Sequence, residues 1–164
     1  MNAWIGLGGN FTGSEALMSE ALILLDANDQ ITVLRHSGVY RSPPWGATDQ
    51  ADFCNAVAEL ETSLPAAELL AELLDVEKRL GRDRGGPRWG PRCIDLDLLT
   101  YQDLMLNSER MELPHPRMHL RAFVLVPLLD MEPGFEIPGI GKAQQALDRL
   151  DRHEVGAVQL LNPL

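Results

Sequence analysis

The chain has 164 residues, 45% apolar and 23% charged; this suits one folded domain over residues 1–164 and excludes a chain disordered throughout. Its formal net charge of −10, from 24 acidic and 14 basic residues, argues against a surface built for nucleic acid, because the phosphate backbone would be repelled. Two cysteines without metal-ligand spacing, a start without a signal-peptide pattern and the lack of any apolar run long enough to span a bilayer point to a cytoplasmic protein with reduced thiols, off the membrane.

Residues 4–7 read as a short buried strand that ends at Gly8-Gly9-Asn10. Thr12 and Glu15 have capping-box spacing and predict a helix start there. Leu17, Ala21, Leu24 and Leu25 then share one helical face. Residues 31–40 are rich in β-branched side chains and read as a strand. The double proline of Arg41-Ser42-Pro43-Pro44-Trp45-Gly46 removes two backbone donors and forces the chain out of regular structure. Residues 53–61 alternate, with Cys54, Ala56, Ala58 and Leu60 on one face and Phe53, Asn55, Val57 and Glu59 on the other. Thr62-Ser63-Leu64-Pro65 looks like a helix entry, and Leu69, Leu70, Leu73, Leu74, Glu77 and Leu80 keep helical spacing until Gly81. Residues 82–91 are a loop by composition, 93–101 another strand, and 113–116 extended; a short helical turn and an apolar run over 123–129 follow. Strand–helix–strand repeated twice predicts an α+β, ferredoxin-like fold, with helices packed on an antiparallel sheet.

Three clusters could carry chemistry. In Ile94-Asp95-Leu96-Asp97-Leu98 both carboxylates fall on one face of a strand and the leucines on the other. Adjacent anions on an apolar strand are costly unless neutralised, and Mg²⁺ is a natural partner; a solvated edge strand is the alternative. The preceding loop, Gly81-Arg82-Asp83-Arg84-Gly85-Gly86-Pro87-Arg88-Trp89-Gly90-Pro91-Arg92, concentrates cationic forks suited to phosphate and a flat indole suited to stacking. By itself it reads as a charged surface loop. Directly before two carboxylates it completes a phosphoryl-transfer set with a mobile lid. His115 and His119 are four apart, but Pro116 disfavours the helix that would bring them to one face. Phosphate contacts by His115 and Arg121 therefore fit better than zinc. Gly6-Leu7-Gly8-Gly9-Asn10-Phe11 lacks both the dinucleotide and the P-loop pattern, and reads as a tight turn with close packing. Phe53 beside Asn55 is either an ordinary half-exposed strand face or a reader of a planar ring's edge.

These pieces in this order resemble the 6-hydroxymethyl-7,8-dihydropterin pyrophosphokinase family of folate biosynthesis. The resemblance rests on Gly8-Gly9-Asn10, Tyr40-Arg41-Ser42-Pro43-Pro44-Trp45-Gly46, Phe53-Cys54-Asn55-Ala56, Glu77, Gly81-Arg82, Arg88-Trp89-Gly90-Pro91-Arg92, Asp95-Leu96-Asp97 and Pro114-His115-Pro116-Arg117 through Arg121-Ala122-Phe123. It runs from about residue 3 to about residue 135, and the Arg-Trp-Gly-Pro-Arg segment followed by Asp-x-Asp is its most specific part. It implies transfer of pyrophosphate from ATP to the hydroxymethyl group of the dihydropterin, leaving AMP, by a monomeric cytoplasmic enzyme. By the same resemblance, Asp95 and Asp97 hold two Mg²⁺ ions on the ATP phosphates, and Arg82 and Arg92 act with them in catalysis. Glu77, Arg84, Arg88, Arg92, Leu98, His115 and Arg121 form the ATP site, with Asn10 in support. Ser42, Pro43, Pro44, Trp45, Phe53, Asn55, Trp89 and Phe123 form the pterin site. Gly9, Ser42, Trp45 and Phe53 depart from the commonest residues at their positions; none of them is a metal ligand.

Overall fold

The computed structural model describes residues 1–10, 12–44, 49, 51–82 and 93–164. The chain runs β1 (Asn2–Gly9), α1 (Ser14–Asp26), β2 (Ile31–His36), β3 (Val39–Ser42), β4 (Phe53–Thr62), α2 (Ala66–Arg79) and β5 (Asp95–Tyr101). A hairpin of β6 (Leu106–Asn107) and β7 (Glu112–Leu113), a 3-10 turn at Met118–Leu120 and α3 (Ala122–Met131) follow. β8 (Glu136–Ile137), β9 (Gly141–Lys142), α4 (Ala143–Asp148), α5 (Arg152–Gly156) and β10 (Gln159–Asn162) complete it.

The main sheet is antiparallel in the order β10-β3-β4-β1-β5, and β2 also pairs with β4. With β2 and β3 taken as one interrupted strand, this is the ferredoxin-like arrangement that two strand–helix–strand units predict. The expected single strand over 31–40 is broken at Ser37 and Gly38. There the Ser37 hydroxyl, rather than a backbone carbonyl, accepts the Val57 N–H at 3.0 Å, while the Ser37 N–H still reaches Val57 O at 2.9 Å. The expected capping box does not form. α1 starts at Ser14 behind Gly13, whose φ is 89°, with no side-chain cap. Ser14 instead donates its hydroxyl to Cys93 O at 2.9 Å, tying the helix start to the approach of β5.

Alternating side chains of the strands enter two cores, one on each face of the sheet. Ile5 and Leu7 of β1, Ala58 and Leu60 of β4 and Leu96 and Leu98 of β5 pack with Met18, Leu25, Leu69 and Leu73 from α1 and α2. On the opposite face Trp4, Val57 and Leu99 pack with Leu125 and Leu128 of α3 and Ala143 and Ala146 of α4. Tyr40 donates its hydroxyl to Asp130, and Arg35 bonds Glu59, Met131 O and Glu132. These contacts fix the far end of α3 against β2 and β3. Among the described residues no helix is long and apolar enough to cross a membrane.

Candidate active site

α3 and α4 cover only part of the second sheet face. Beyond Trp4, β1 presents Gly6 and Gly8 on that face, opposite Asp97 and Asp95 of β5 on one side and Val57 and Asn55 of β4 on the other. Two glycines in alternate positions leave the sheet bare where its neighbours carry an amide and two carboxylates. The result is a mainly apolar cavity floored by Gly6 and Gly8. Ser42, Pro43, Phe53 and Asn55 line one side, Asp95 and Asp97 the other, and Arg121, Phe123 and Val124 the α3 end.

The two ends of this cavity differ in chemistry. At one, Asn55 Nδ2 donates to Ser42 Oγ at 2.9 Å, and both residues are buried. Gly8 packs close beside them: a Cβ there would sit 3.3 Å from Asn55 Oδ1, so the amide would have to give by a few tenths of an ångström. A held amide next to the aromatic rings of Phe53 and Phe123 offers directed hydrogen bonds to the edge of a flat heterocycle. At the other end the Asp95 and Asp97 side chains are 21% and 39% exposed.

The carboxylates are met by cations. Arg82 Nη1 donates to Asp95, to Glu77 Oε1 at 2.8 Å and to Ile94 O at 3.3 Å. Burial works against the Arg82 charge, but the Asp95 hydrogen bond and the fields of Asp95, Glu77 and Asp97 outweigh it and raise its pKa above the ordinary value. Glu77, 1% exposed, also accepts the Leu96 N–H at 2.7 Å. Asp97 Oδ2 lies 3.7 Å from Arg121 Nη1 and 3.9 Å from His115 Nε2. Arg121 also stacks over Phe123, 5.5 Å from the ring centre. The Arg117 N–H donates to His115 Nδ1 at 3.1 Å, which puts the proton of the neutral ring on Nε2, toward Asp97. Burial, then the Arg121 charge, push the His115 pKa down to about 4, with Asp95 opposing.

A second, more open groove lies on the other side of Asp97. It is lined by Leu70, Leu96, Leu98, Ser108, His115 and Pro116, among others. Asp97 thus stands between two recesses, one floored by glycine and one that His115 also lines, opening beside β7.

Among the described residues no three His, Cys, Asp or Glu side chains come together as a metal cluster. Two hard carboxylates opening onto a cavity suit Mg²⁺ nonetheless. That ion keeps waters and is commonly bound by one or two carboxylates together with substrate phosphates.

Of the residues expected at the site, Ser42, Pro43, Phe53, Asn55, Asp95, Asp97, Arg121 and Phe123 line the first cavity, and His115 and Leu98 the second. Pro44 lines an adjoining groove with Pro43 and Phe123. Two expected ATP contacts have inward side chains. Glu77 is turned onto Arg82 and the β5 backbone. The Leu98 side chain belongs to the core beneath the sheet, because it alternates with Asp97. Trp45, Arg84, Arg88, Trp89 and Arg92 lie outside the described residues. Sequence reasoning missed the flooring role of Gly6 and Gly8. Their i, i+2 spacing matched that of the two aspartates, but only the β1–β5 register sets one pair against the other.

The family profile described as 7,8-dihydro-6-hydroxymethylpterin-pyrophosphokinase (HPPK) matches residues 4–133. A 2-amino-4-hydroxy-6-hydroxymethyldihydropteridine pyrophosphokinase of Methylorubrum extorquens is 41% identical over 157 residues, 96% of this chain and 98% of the relative. The enzyme of that name from Bacillus subtilis is 41% identical over 129 residues, 79% of this chain and 77% of its own length. Among solved structures, wild-type Plasmodium falciparum HPPK-DHPS with pteroate superposes with a TM-score of 0.71 over 90% of this chain at 12% identity. This chain spans 44% of that longer protein, and the likeness bears on the fold.

Proposed function

The chain belongs to the 7,8-dihydro-6-hydroxymethylpterin-pyrophosphokinase family, and from that premise we propose how its own residues divide the work. The enzyme transfers pyrophosphate from ATP to the hydroxymethyl group of 6-hydroxymethyl-7,8-dihydropterin in folate biosynthesis, with a divalent metal. In our reading the pterin lies on the Gly6–Gly8 floor, with Phe53 and Phe123 beside its ring and the Asn55–Ser42 pair at its hydrogen-bonding edge. ATP enters from the groove beside β7, its phosphates reaching Asp95 and Asp97. One observation carries this division: the amide end and the carboxylate end open into the same cavity.

Asp95 and Asp97 would hold two Mg²⁺ ions with the ATP phosphates. Bound there, the metal neutralises phosphate charge and favours attack at phosphorus. The hydroxymethyl oxygen needs alignment with the β-phosphorus more than it needs a covalent intermediate. No side chain is required as nucleophile. Arg121 adds fixed positive charge beside Asp97. Neutral His115, with its proton on Nε2, offers a donor to phosphate oxygen without adding charge. Arg82 acts by holding Asp95 against Glu77. The arginines expected at the phosphates, Arg84, Arg88 and Arg92, lie outside the described residues. The whole chain then serves as one monomeric catalytic domain; the free thiols of Cys54 and Cys93 and the acidic surface fit a cytoplasmic protein that binds neither nucleic acid nor membrane.

The test is direct. The protein is mixed with ATP, Mg²⁺ and 6-hydroxymethyl-7,8-dihydropterin, and the nucleotide products are separated. AMP in equal amount to pterin diphosphate is expected. ADP, or no turnover, would overturn the reading.

A further inference from the structure

The reaction as described uses nothing beyond α3, yet the C-terminal residues border the substrate pocket. β3 is only four residues long. It pairs with β4 through three rungs, Tyr40↔Asn55, Arg41↔Cys54 and Ser42↔Phe53. Three of those residues, Ser42, Phe53 and Asn55, line the pterin cavity. So short a ladder, left at the edge of a sheet, frays readily. Here it is not the edge. β10 runs antiparallel along its outer side, with Gln159 opposite Arg41, Leu160 opposite Tyr40 and Asn162 opposite Val39.

Several contacts seat this last strand. Asn162 Nδ2 donates to Glu15 Oε2 of α1 at 3.0 Å, and Leu164 packs against the first core. Gly38 forms a notch under it. A Cβ at that position would lie 2.7 Å from Leu160 Cδ1 and 2.8 Å from the backbone oxygen of Asn162. Just before β10, His153, Ala157 and Val158 face Pro43, Pro44 and Phe123 across a groove that continues from the pterin pocket.

We propose that β10 is a positioning element for pterin binding: it clamps the outer edge of β3 and so keeps Ser42 on Asn55, with Gly38 as the notch that seats it. This rests on assigning the Ser42–Asn55 cavity to the pterin. β10 touches no substrate. It acts by reducing the freedom of the β3–β4 ladder before the pterin arrives, which lowers the ordering cost of binding. The ATP side, built on β5 and the segment after β7, lies two strands away from β4 and is not held by β10.

Two variants test this in the full-length enzyme. Gly38→Ala forces β10 off its notch. Leu160→Ser removes the side chain that fills it; Leu160 is 62% exposed, so its loss does not threaten the core. Wild-type AMP release is measured first, and its absence would mark failure of the activity reading itself. Hydrogen exchange is then followed in both variants. Amides of 39–42 and 159–162 should exchange faster, with β1 and β5 unchanged. The pterin KM should rise by at least about fivefold, a clear fraction of one tenfold step. The ATP KM should stay within about twofold of wild type. Faster exchange with an unchanged pterin KM would overturn the proposal. So would equal rises in both KM values, which is the mark of general destabilisation. Unchanged exchange in both variants would equally overturn it, because Gly38 and Leu160 would then not be what seats the strand.

Discussion

Glu77→Gln separates a positioning role for this carboxylate from a direct contact with ATP. Glu77 is 1% exposed, and its Oε1 alone receives both the Arg82 Nη1 bond at 2.8 Å and the Leu96 N–H at 2.7 Å. Glutamine keeps the shape and can keep an oxygen in that place, so what changes is charge. A hydrogen bond to a charged group contributes about 1.5–3 kcal/mol and a neutral one about 0.5–1.5 kcal/mol. Two such bonds weakened together cost about 2 kcal/mol. For a chain of this size, that corresponds to a fall of about 4–8 °C in Tm. Glu77→Ala should cost more, about 3–5 kcal/mol, because it strips a partner from a buried guanidinium. The kinetic arm points the same way. Freed from Glu77, Arg82 keeps Asp95 and Ile94 O, and Asp95, now its one charged partner among those described, is held more strongly against metal. The Mg²⁺ concentration for half-maximal rate should therefore rise while the ATP KM at saturating Mg²⁺ holds. Thermal melts and Mg²⁺ titrations of the AMP-release rate read both. A Glu77→Gln enzyme that melts with wild type and has a raised ATP KM would refute the reasoning and put this carboxylate on the nucleotide.

Asp97→Asn should change the Tm of the metal-free protein little, since the Arg121 guanidinium stands 3.7 Å away, the neutral His115 ring 3.9 Å away, and the side chain is 39% exposed; such exposed pairs contribute less than about 1 kcal/mol. Pyrophosphoryl transfer by the same variant should fall by at least about a hundredfold, and a marked drop in Tm with activity retained would show a structural carboxylate instead. Gly8→Ala should raise the pterin KM about tenfold by crowding Asn55 Oδ1 at 3.3 Å, whereas Gly6→Ala, whose Cβ would meet the Leu99 side chain at ordinary contact distances of 3.6, 3.7 and 3.8 Å, should do so less; equal effects would count against the Asn55 assignment. The two tyrosines should ionise late. Burial, then the Asp130 hydrogen bond, raise the Tyr40 pKa, and burial raises that of Tyr101. A proton held more tightly in the folded than in the unfolded chain means that this stability is fully present below about pH 10 and is lost as pH rises above it. Ultraviolet titration of the native protein should show less phenolate at about pH 10 than the unfolded chain does, and an ordinary midpoint there would refute the shift.

The strand–helix–strand pattern was legible because side chains of β1, β4 and β5 alternate between two faces, each feeding its own core, and because Pro65 and Gly81 bracket α2. The two aspartates were legible for the same reason, since alternation alone puts Leu96 and Leu98 in the core. Interactions between segments were not. The Thr12–Glu15 spacing is a local rule, and it lost to a tertiary bond, Ser14 Oγ to Cys93 O, that sets the helix start. The inward turn of Glu77 depends on Arg82 and Leu96, 5 and 19 residues away. Gly6 and Gly8 looked like turn residues because their meaning comes from what faces them from β4 and β5, and that pairing is not readable from β1 by itself.

The contacts of the two carboxylates are unequal, and this bears on how the site accepts metal. Asp95 is bound by the nearly buried Arg82, itself anchored to Glu77 and Ile94 O. Its position is set before any ligand arrives. Asp97 faces Arg121 and His115 at longer range and greater exposure. A metal taking Asp95 Oδ1 therefore has to displace the Arg82 hydrogen bond that already holds it. Arg82 also offsets the repulsion that two carboxylates on one strand face would otherwise impose on the metal-free fold. Removing Arg82 should consequently do two opposite things. It frees Asp95 for metal, and it leaves Glu77 as a buried carboxylate without its cation, a loss that costs several kcal/mol. The same guanidinium thus links the stability of α2 to the readiness of β5 for Mg²⁺ and ATP.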